Sequence, residues 1–237
     1  MTATLPAALR WPGYLAWVVL ALLPISVLTV RAGSWQQGLL LYALACLLSL
    51  LLLAWFAVAA LLPANRGRRP ALLRHALPAL PGAVLLVAAL SVDAPPIHDI
   101  STDLEDPPQF DAVAGRRDDG DNSLATDPET LATQADAYPD IDTLRSELDL
   151  EGTFALAERT ARALGWEIIR SDLNAGVIEA VDRTPFMGFE DDVVIRVRRT
   201  AEGSIVDLRS ASRVGVGDLG TNAKRIRRFA DAFREGA

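Results

Sequence analysis

The sequence predicts an α-helical transmembrane anchor of three helices followed by an α+β two-layer domain, with an antiparallel four-stranded sheet and two helices in the order α-β-β-β-β-α. The first observation is the uneven distribution of charge. Residues 1–92 contain six Arg and no Lys, Asp or Glu, whereas all 30 acidic residues lie after residue 92. The second is three apolar runs within residues 1–92, and the third is regular amphipathic periodicity from residue 143 onward. Such segregation excludes a purely cytosolic globular enzyme.

The three apolar runs predict membrane-spanning helices at about residues 14–30, 38–62 and 77–92. The first two approach or exceed the length needed to cross a bilayer, and Pro24 is expected to kink the first helix. The third run is shorter and proline-containing, so a re-entrant or interfacial segment is the alternative there. The only cysteine, Cys46, lies in the second run, which leaves the soluble part without thiol chemistry.

Orientation is predicted from the basic loop between the second and third runs, which contains Arg66, Arg68, Arg69 and Arg74. Positive-inside weighting places this loop and the N-terminus in the cytoplasm, so the third helix would deliver residues 93–237 to the other side. If the third run does not cross, those residues stay in the cytoplasm. Their 17 basic residues against 30 acidic ones argue against a nucleic-acid partner.

Residues 93–142 are predicted to be an acidic, largely mobile linker, since the segment contains 14 acidic residues and only two Arg. The Asp118–Asn122 stretch resembles a calcium loop, but its glycine is misplaced and no Glu closes it, so a solvated turn is favoured. His98 and Asp99 could act as metal ligands or as an acid–base pair. The alternative, favoured here, is a structural segment pinned by Ile97 and Ile100.

The folded domain is predicted over residues 143–237. It begins with a helix from Thr153, as the cap, to Leu164, with Gly165 ending the helix in a left-handed conformation. A hairpin of residues 166–171 and 177–183 follows. Two further strands are predicted at residues 193–200 and 204–212, and the last helix at residues 222–235, capped by Thr221.

The register of the last two strands follows from their apolar faces. Val193, Ile195 and Val197 share one face, so the turn after Thr200 must contain an even number of residues. The same register sets Asp207 opposite Arg196 or Arg198 on the other face.

A G-x-G-x-x-G motif at Gly215, Gly217 and Gly220 lies between a strand and a helix. It is not a dinucleotide site, because the preceding strand alternates polar and apolar residues and only 17 residues follow the motif. Its N–H groups could instead hold a phosphate or carboxylate beside Arg213 and Arg225. The alternative is an internal clasp, with Asp218 and Asn222 tying the loop to the helix and Arg213 paired with Asp191 or Asp192.

The candidate ligand-binding residues share a polar or charged group, or a flexible backbone, around this loop and the sheet. They are Arg196, Arg209, Arg213, Gly215, Gly217, Asp218, Gly220, Asn222, Arg225, Asp191 and Asp192. No catalytic residue, metal site or cofactor is predicted, since the folded domain contains no histidine.

Four separate segments of the chain resemble the signature segments of a known family and occur in the same order. They are residues 95–102, 186–194, 209–215 and 218–226. Over roughly residues 94–236 the sequence is similar to the membrane-anchored members of the bacterial domain-of-unknown-function family 1499. The resemblance implies a bacterial inner membrane protein and carries no activity. Two departures are the absence of a Cys-containing segment ahead of the domain, and Gly217 where Ser is commoner.

These observations favour a membrane-anchored extracytoplasmic binding or assembly module that engages an envelope lipid, glycan or protein partner. The alternative is an envelope hydrolase or transferase that uses Asp191 and Asp192, or His98 and Asp99, as acid and base. A structural role carried mainly by the membrane helices is the third hypothesis.

Overall fold

The described residues form two compact units: residues 5–92 together with 186–188, and residues 93–185 together with 189–236. The computed structural model describes residues 5–236, so the ends of the predicted anchor (1–4) and of the predicted domain (237) lie outside the described residues. We call residues 5–92 the anchor unit and residues 93–185 with 189–236 the α/β unit.

The anchor unit is entirely helical. Its elements are α1 (Ala7–Arg31), α2 (Trp35–Leu61), a 3-10 turn (Pro63–Arg68), α3 (Arg69–Ala76), a second 3-10 turn (Leu77–Ala79) and α4 (Leu80–Leu90). Three helical stretches are long and apolar enough to cross a membrane, and the third runs over 28 residues, from the first 3-10 turn through α4. The prediction of three candidate membrane spans is therefore confirmed, with a third helix that begins well before residue 77.

Small residues let the anchor helices approach closely. Ala16 of α1 and Ala45 of α2 are fully buried between the helices. A Cβ atom at Gly82 of α4 would lie 2.3 Å from the Ser49 Oγ of α2, so only glycine fits that crossing. Membrane helices pack by such contacts because lipid offers no hydrophobic drive between them.

The α/β unit contains a six-stranded antiparallel sheet rather than the four strands predicted. The strands are β1 (Asp99–Ser101), β2 (Leu144–Ser146), β3 (Glu167–Asp172), β4 (Val177–Arg183), β5 (Glu190–Thr200) and β6 (Gly203–Ser212). The order is β1-β6-β5-β4-β3, and β2 also pairs with β6. The two additional strands have three residues each, which is too short for an alternating pattern to be recognised.

The predicted register between β5 and β6 is confirmed. Thr200 pairs with Gly203 across a two-residue turn, and Val197 pairs with Val206 on the apolar face. On the opposite face, Arg196 lies across from Asp207. The acidic residues before Val193 belong to β5, because they pair with β4 and, at Asp191 and Asp192, with β6.

Three helices complete the α/β unit: α5 (Pro128–Ala137), α6 (Leu150–Ala163) and α7 (Thr221–Glu235). Both predicted caps were wrong. Asp149 caps α6, with its side chain accepting the Gly152 N–H at 2.8 Å. The first turn of α7 is instead held by Asp218, whose carboxylate accepts the Asn222 N–H at 2.6 Å.

Helices α6 and α7 cover one face of the sheet and form the main core. Both helices are amphipathic, as the periodicity of the sequence predicted, since Phe154 and Ala157 of α6 and Ile226, Phe229 and Phe233 of α7 are all buried there. The Trp166 ring stacks on that of Phe229, with centroids 5.4 Å apart. Gly165 ends α6 with φ +86°, the left-handed conformation that the sequence predicted.

The other face of the sheet is covered by residues 102–125, which we call the acidic strap. Glu179 of β4 is fully buried, and its carboxylate accepts N–H groups of Asp111, Ala112 and Val113 at 3.0 Å each. Val113 is itself completely buried. The structure therefore differs from the expectation of a linker over residues 93–142, because this segment forms part of the folded unit.

The Glu179 contact gives a direct test of how the strap is held. We expect Glu179→Gln in the full chain to speed amide exchange at residues 111–113 by at least about tenfold, because charge-assisted hydrogen bonds contribute about 1.5–3 kcal/mol. Hydrogen exchange with mass spectrometry measures this. Glu202→Gln makes the same change on an exposed turn and should leave exchange unaltered. Equal protection in both variants would contradict the contact.

Candidate functional site

Most candidate residues lie around the start of β5 and the end of β6, on both faces of the sheet, whereas Arg196 lies in the middle of β5. Asp191 points to the face that α7 covers, and Asp192 points to the face that the acidic strap covers, as expected for neighbours on one strand. Two clusters of charged side chains result, one on each face.

On the helix face, Arg225 of α7 is the centre of a buried cluster. Its side chain is 4% exposed and pairs with Asp191, while its Nε donates to Asp182 Oδ2 at 2.7 Å. Asn222 Oδ1 accepts from Arg225 and from the Ser210 hydroxyl. Burial raises the pKa of Asp191, and the positive charge of Arg225 opposes that shift. The carboxylate is thus bound by two internal partners, Arg225 and Ser212.

On the strap face, Asp192 is completely buried between two Arg side chains. Its Oδ1 accepts from Arg213 Nη2 at 2.7 Å, and its Oδ2 lies 3.0 Å from Nε of Arg117. Arg213 also pairs with Glu190. Burial lowers the pKa of Arg117, while the charge of Asp192 opposes that shift. Arg117 and Arg213 thus share the carboxylate of Asp192, and Glu190 supplies a second negative charge beside Arg213.

Arg209 of β6 is fixed on every side. It is 1% exposed and binds Asp99 of β1 through Nε and Nη2, with distances of 3.0 and 2.6 Å. Its other N–H groups donate to the main-chain carbonyls of Pro108 and Leu124 in the strap. The Phe110 ring lies 5.1 Å from the guanidinium carbon. All of these partners come from the segment predicted to be a linker.

Arg196 and its neighbour Arg198 share a set of carboxylates. Arg196 binds Asp106 at 2.8 Å and Asp103 at 3.0 Å, and Arg198 binds Asp207 at 2.7 Å. Burial raises the pKa of Asp103, but main-chain N–H donors and the two Arg hold that pKa below its usual range. The Arg-bearing sheet face is therefore neutralised by the chain itself.

Two main-chain N–H groups of the glycine loop, those of Asp218 and Gly220, are bound within the unit. Asp218 N donates to the Ile97 carbonyl at 3.2 Å, and Gly220 N donates to Asp218 Oδ1 at 2.8 Å. A Cβ atom at Gly217 would lie 3.0 Å from Pro96 Cα, so the loop packs tightly on the segment before β1. Gly215 and Gly220 adopt φ of +92° and +75°. This geometry corresponds to the clasp alternative, and a ligand role for the loop stays a prediction.

The remaining predicted sites also have internal partners. His98 Nδ1 lies 3.3 Å from the Val216 carbonyl, and Asp99 is held by Arg209. Asn122, at the end of the predicted solvated turn, donates to the carbonyls of Ser212 and Gly215. Among residues 5–236, no group of three or more His, Cys, Asp or Glu side chains is placed to hold a metal ion.

Two adjoining clefts were missed by the sequence analysis. Both are lined by Ile141 and Asp142; the larger, of about 450 Å³, also contains Asp103, Glu105 and Tyr138, and the smaller, of about 200 Å³, lies against α7. The acidic composition of residues 93–142 could have indicated an acidic surface, but it was interpreted as the sign of a mobile linker. We call these two depressions the acidic cleft.

The fold and these clusters define an α+β domain with a self-neutralised charged sheet, attached to apolar helices that can span a membrane. The family model described as a protein of unknown function, DUF1499, matches residues 99–233. The chain therefore belongs to the DUF1499 family, and the resemblance noted from the sequence is confirmed. A search of curated proteins found no match.

The pairing of Asp192 distinguishes a structural from a catalytic carboxylate. We expect Asp192→Asn to lower the free energy of unfolding by about 3–5 kcal/mol, because it leaves two buried guanidinium groups without their shared partner. Urea unfolding of the purified full chain, followed by pulse proteolysis, measures the change.

Asp231→Asn is the matched control, because the Asp231 side chain is 73% exposed, so its pairing with Arg234 contributes little. An Asp192→Asn variant as stable as the wild type, or more stable, would contradict the structural role and indicate a group reserved for chemistry.

Proposed function

We propose that the protein is a membrane-anchored binding or assembly module of the bacterial inner membrane, with its α/β unit outside the cytoplasm. Three helices of membrane-spanning length support the anchoring. The four-Arg loop before α4 supports the orientation, since basic loops stay in the cytoplasm. The partner belongs to the cell envelope in this proposal.

The observation that carries a binding role is the disposition of charge. The candidate Arg and Asp side chains of the sheet are bound to partners within the α/β unit, whereas the acidic cleft is open to a partner. Glu105 and Asp142 at this cleft are exposed, and neither forms an ion pair among residues 5–236. Such a surface fits a basic segment of a partner protein better than an anionic lipid.

An envelope hydrolase or transferase was the alternative. General acid–base catalysis needs a carboxylate or imidazole that can reach substrate and exchange protons. Asp191 and Asp192 are buried in ion pairs, and Asp99 is bound by Arg209. This geometry favours binding over acid–base chemistry at those residues.

Orientation can be tested by labelling single cysteines in a Cys46→Ala background. We expect a membrane-impermeant maleimide added to spheroplasts to label Asp119→Cys in the α/β unit and to leave Arg66→Cys unlabelled. Both positions are exposed in the structure. Permeabilised cells provide the control, because both variants should then react. Labelling of Arg66→Cys alone in intact spheroplasts would contradict the proposed orientation.

The acidic cleft can be tested by site-specific photo-crosslinking in the native host. We expect a photoreactive residue at Leu104 to yield one discrete adduct with a protein, and the Glu105→Lys, Asp142→Lys pair to reduce that adduct at least about tenfold. The same photoreactive residue at Arg159, an exposed position on α6, is the control. An adduct that is insensitive to charge reversal would overturn the acidic cleft as the binding surface.

A further inference from the structure

The anchor unit contains a cluster of positive charge with no acidic partner. The cluster, which we call the basic rim, consists of Arg66, Arg68, Arg69 and Arg74 in the 3-10 turn and α3. Residues 1–92 contain no Asp or Glu, so the anchor cannot neutralise these groups itself. Most Arg side chains of the α/β unit, in contrast, are paired with carboxylates.

Three guanidinium groups of the basic rim, those of Arg68, Arg69 and Arg74, donate to main-chain carbonyls. Arg69 Nε donates to the Ala60 carbonyl at 2.8 Å, and the bonds of Arg68 and Arg74 are longer, at 3.4 and 3.5 Å. Each guanidinium has five N–H donors, so most donors remain available. Arg68 Nε is buried without a hydrogen-bond partner. Within residues 5–236, none of the four forms an ion pair.

Packing holds the basic rim in place. Leu72 of α3 is fully buried and clusters with Phe56 and Ala59 of α2. The start of α1 also lies against α3, since a Cβ atom at Gly13 would be 2.4 Å from the His75 ring. A rigid arrangement lowers the entropic cost of binding a ligand.

The side chains around the basic rim are apolar and exposed, which indicates a lipid rather than a soluble polyanion. Leu73 and Leu77 are 63% and 60% exposed, and Trp11, two residues from Gly13, is 70% exposed. Tryptophan and leucine beside arginine are typical of the boundary between headgroups and acyl chains.

We propose that the basic rim binds the phosphate groups of anionic phospholipids. The arginines supply charge-assisted hydrogen bonds to phosphate oxygens, and the exposed Leu and Trp side chains contact the acyl chains. This site is independent of the acidic cleft and of its partner.

Native mass spectrometry of the full chain, purified in detergent, tests the proposal. We add equal amounts of dioleoyl phosphatidylglycerol and dioleoyl phosphatidylcholine and measure which lipid the protein retains. The wild type should retain phosphatidylglycerol preferentially. Replacing Arg66, Arg68, Arg69 and Arg74 with Gln should lower the retention ratio by at least about fivefold, the effect of one arginine near a lipid surface.

The matched control makes the same change in net charge on the α/β unit, at exposed residues without ion pairs. It replaces Arg145, Arg159, Lys224 and Arg228 with Gln and should keep the wild-type ratio. An equal loss in this control would overturn the proposal, because net charge alone would then explain retention. Displacement of the lipid by excess inorganic phosphate would also overturn it, by indicating a free-anion site.

A second variant keeps the test informative if the quadruple variant does not fold. Arg66→Gln with Arg74→Gln removes two charges and leaves the Arg69 contact to α2 intact. It should reduce the ratio by a smaller amount than the quadruple change. A ratio identical to that of the wild type would overturn the proposal.

Discussion

The α/β unit depends on one constraint: a sheet that carries several arginines has to neutralise them out of water. A buried guanidinium without a counter-charge costs several kcal/mol, which is a large part of a domain's stability. Here the counter-charges come from different parts of the chain. Asp99 binds Arg209, Asp103 binds Arg196 and Arg198, and Asp192 joins Arg213 to Arg117 of the acidic strap. The strap, the sheet and α7 are thus joined by paired charges as well as by apolar packing.

Much of the fold could be predicted because its signals are local and periodic. The stripes of α6 and α7, the β5–β6 register and the apolar spans each repeat at the spacing of their element. The short strands β1 and β2 could not be predicted, since three residues are too few to show the alternation of a strand. The caps were wrong for a related reason: Thr153 and Thr221 are good cap residues by type, but Asp149 and Asp218 reach the N–H groups that need an acceptor.

The acidic strap shows where compositional reasoning reaches its limit. Net charge per segment predicts disorder when a chain is considered alone, but complementarity is a property of two segments that are distant in sequence. The arginines of β5 and β6 turn the acids of residues 99–111 from a solvated tail into a cover for the sheet. The same reasoning explains the candidate site: Arg209, Arg213 and Arg225 were predicted to bind a ligand, and in the structure each pairs with a carboxylate of the same chain.

The pairing of β1 with β6 sets the order in which this protein can be made. Asp99 and Arg209 are separated by 110 residues, so the ribosome must synthesise nearly the whole chain before the first strand meets its neighbour. Until then the acids of the strap have no strand arginines to pair with, and their like charges repel one another.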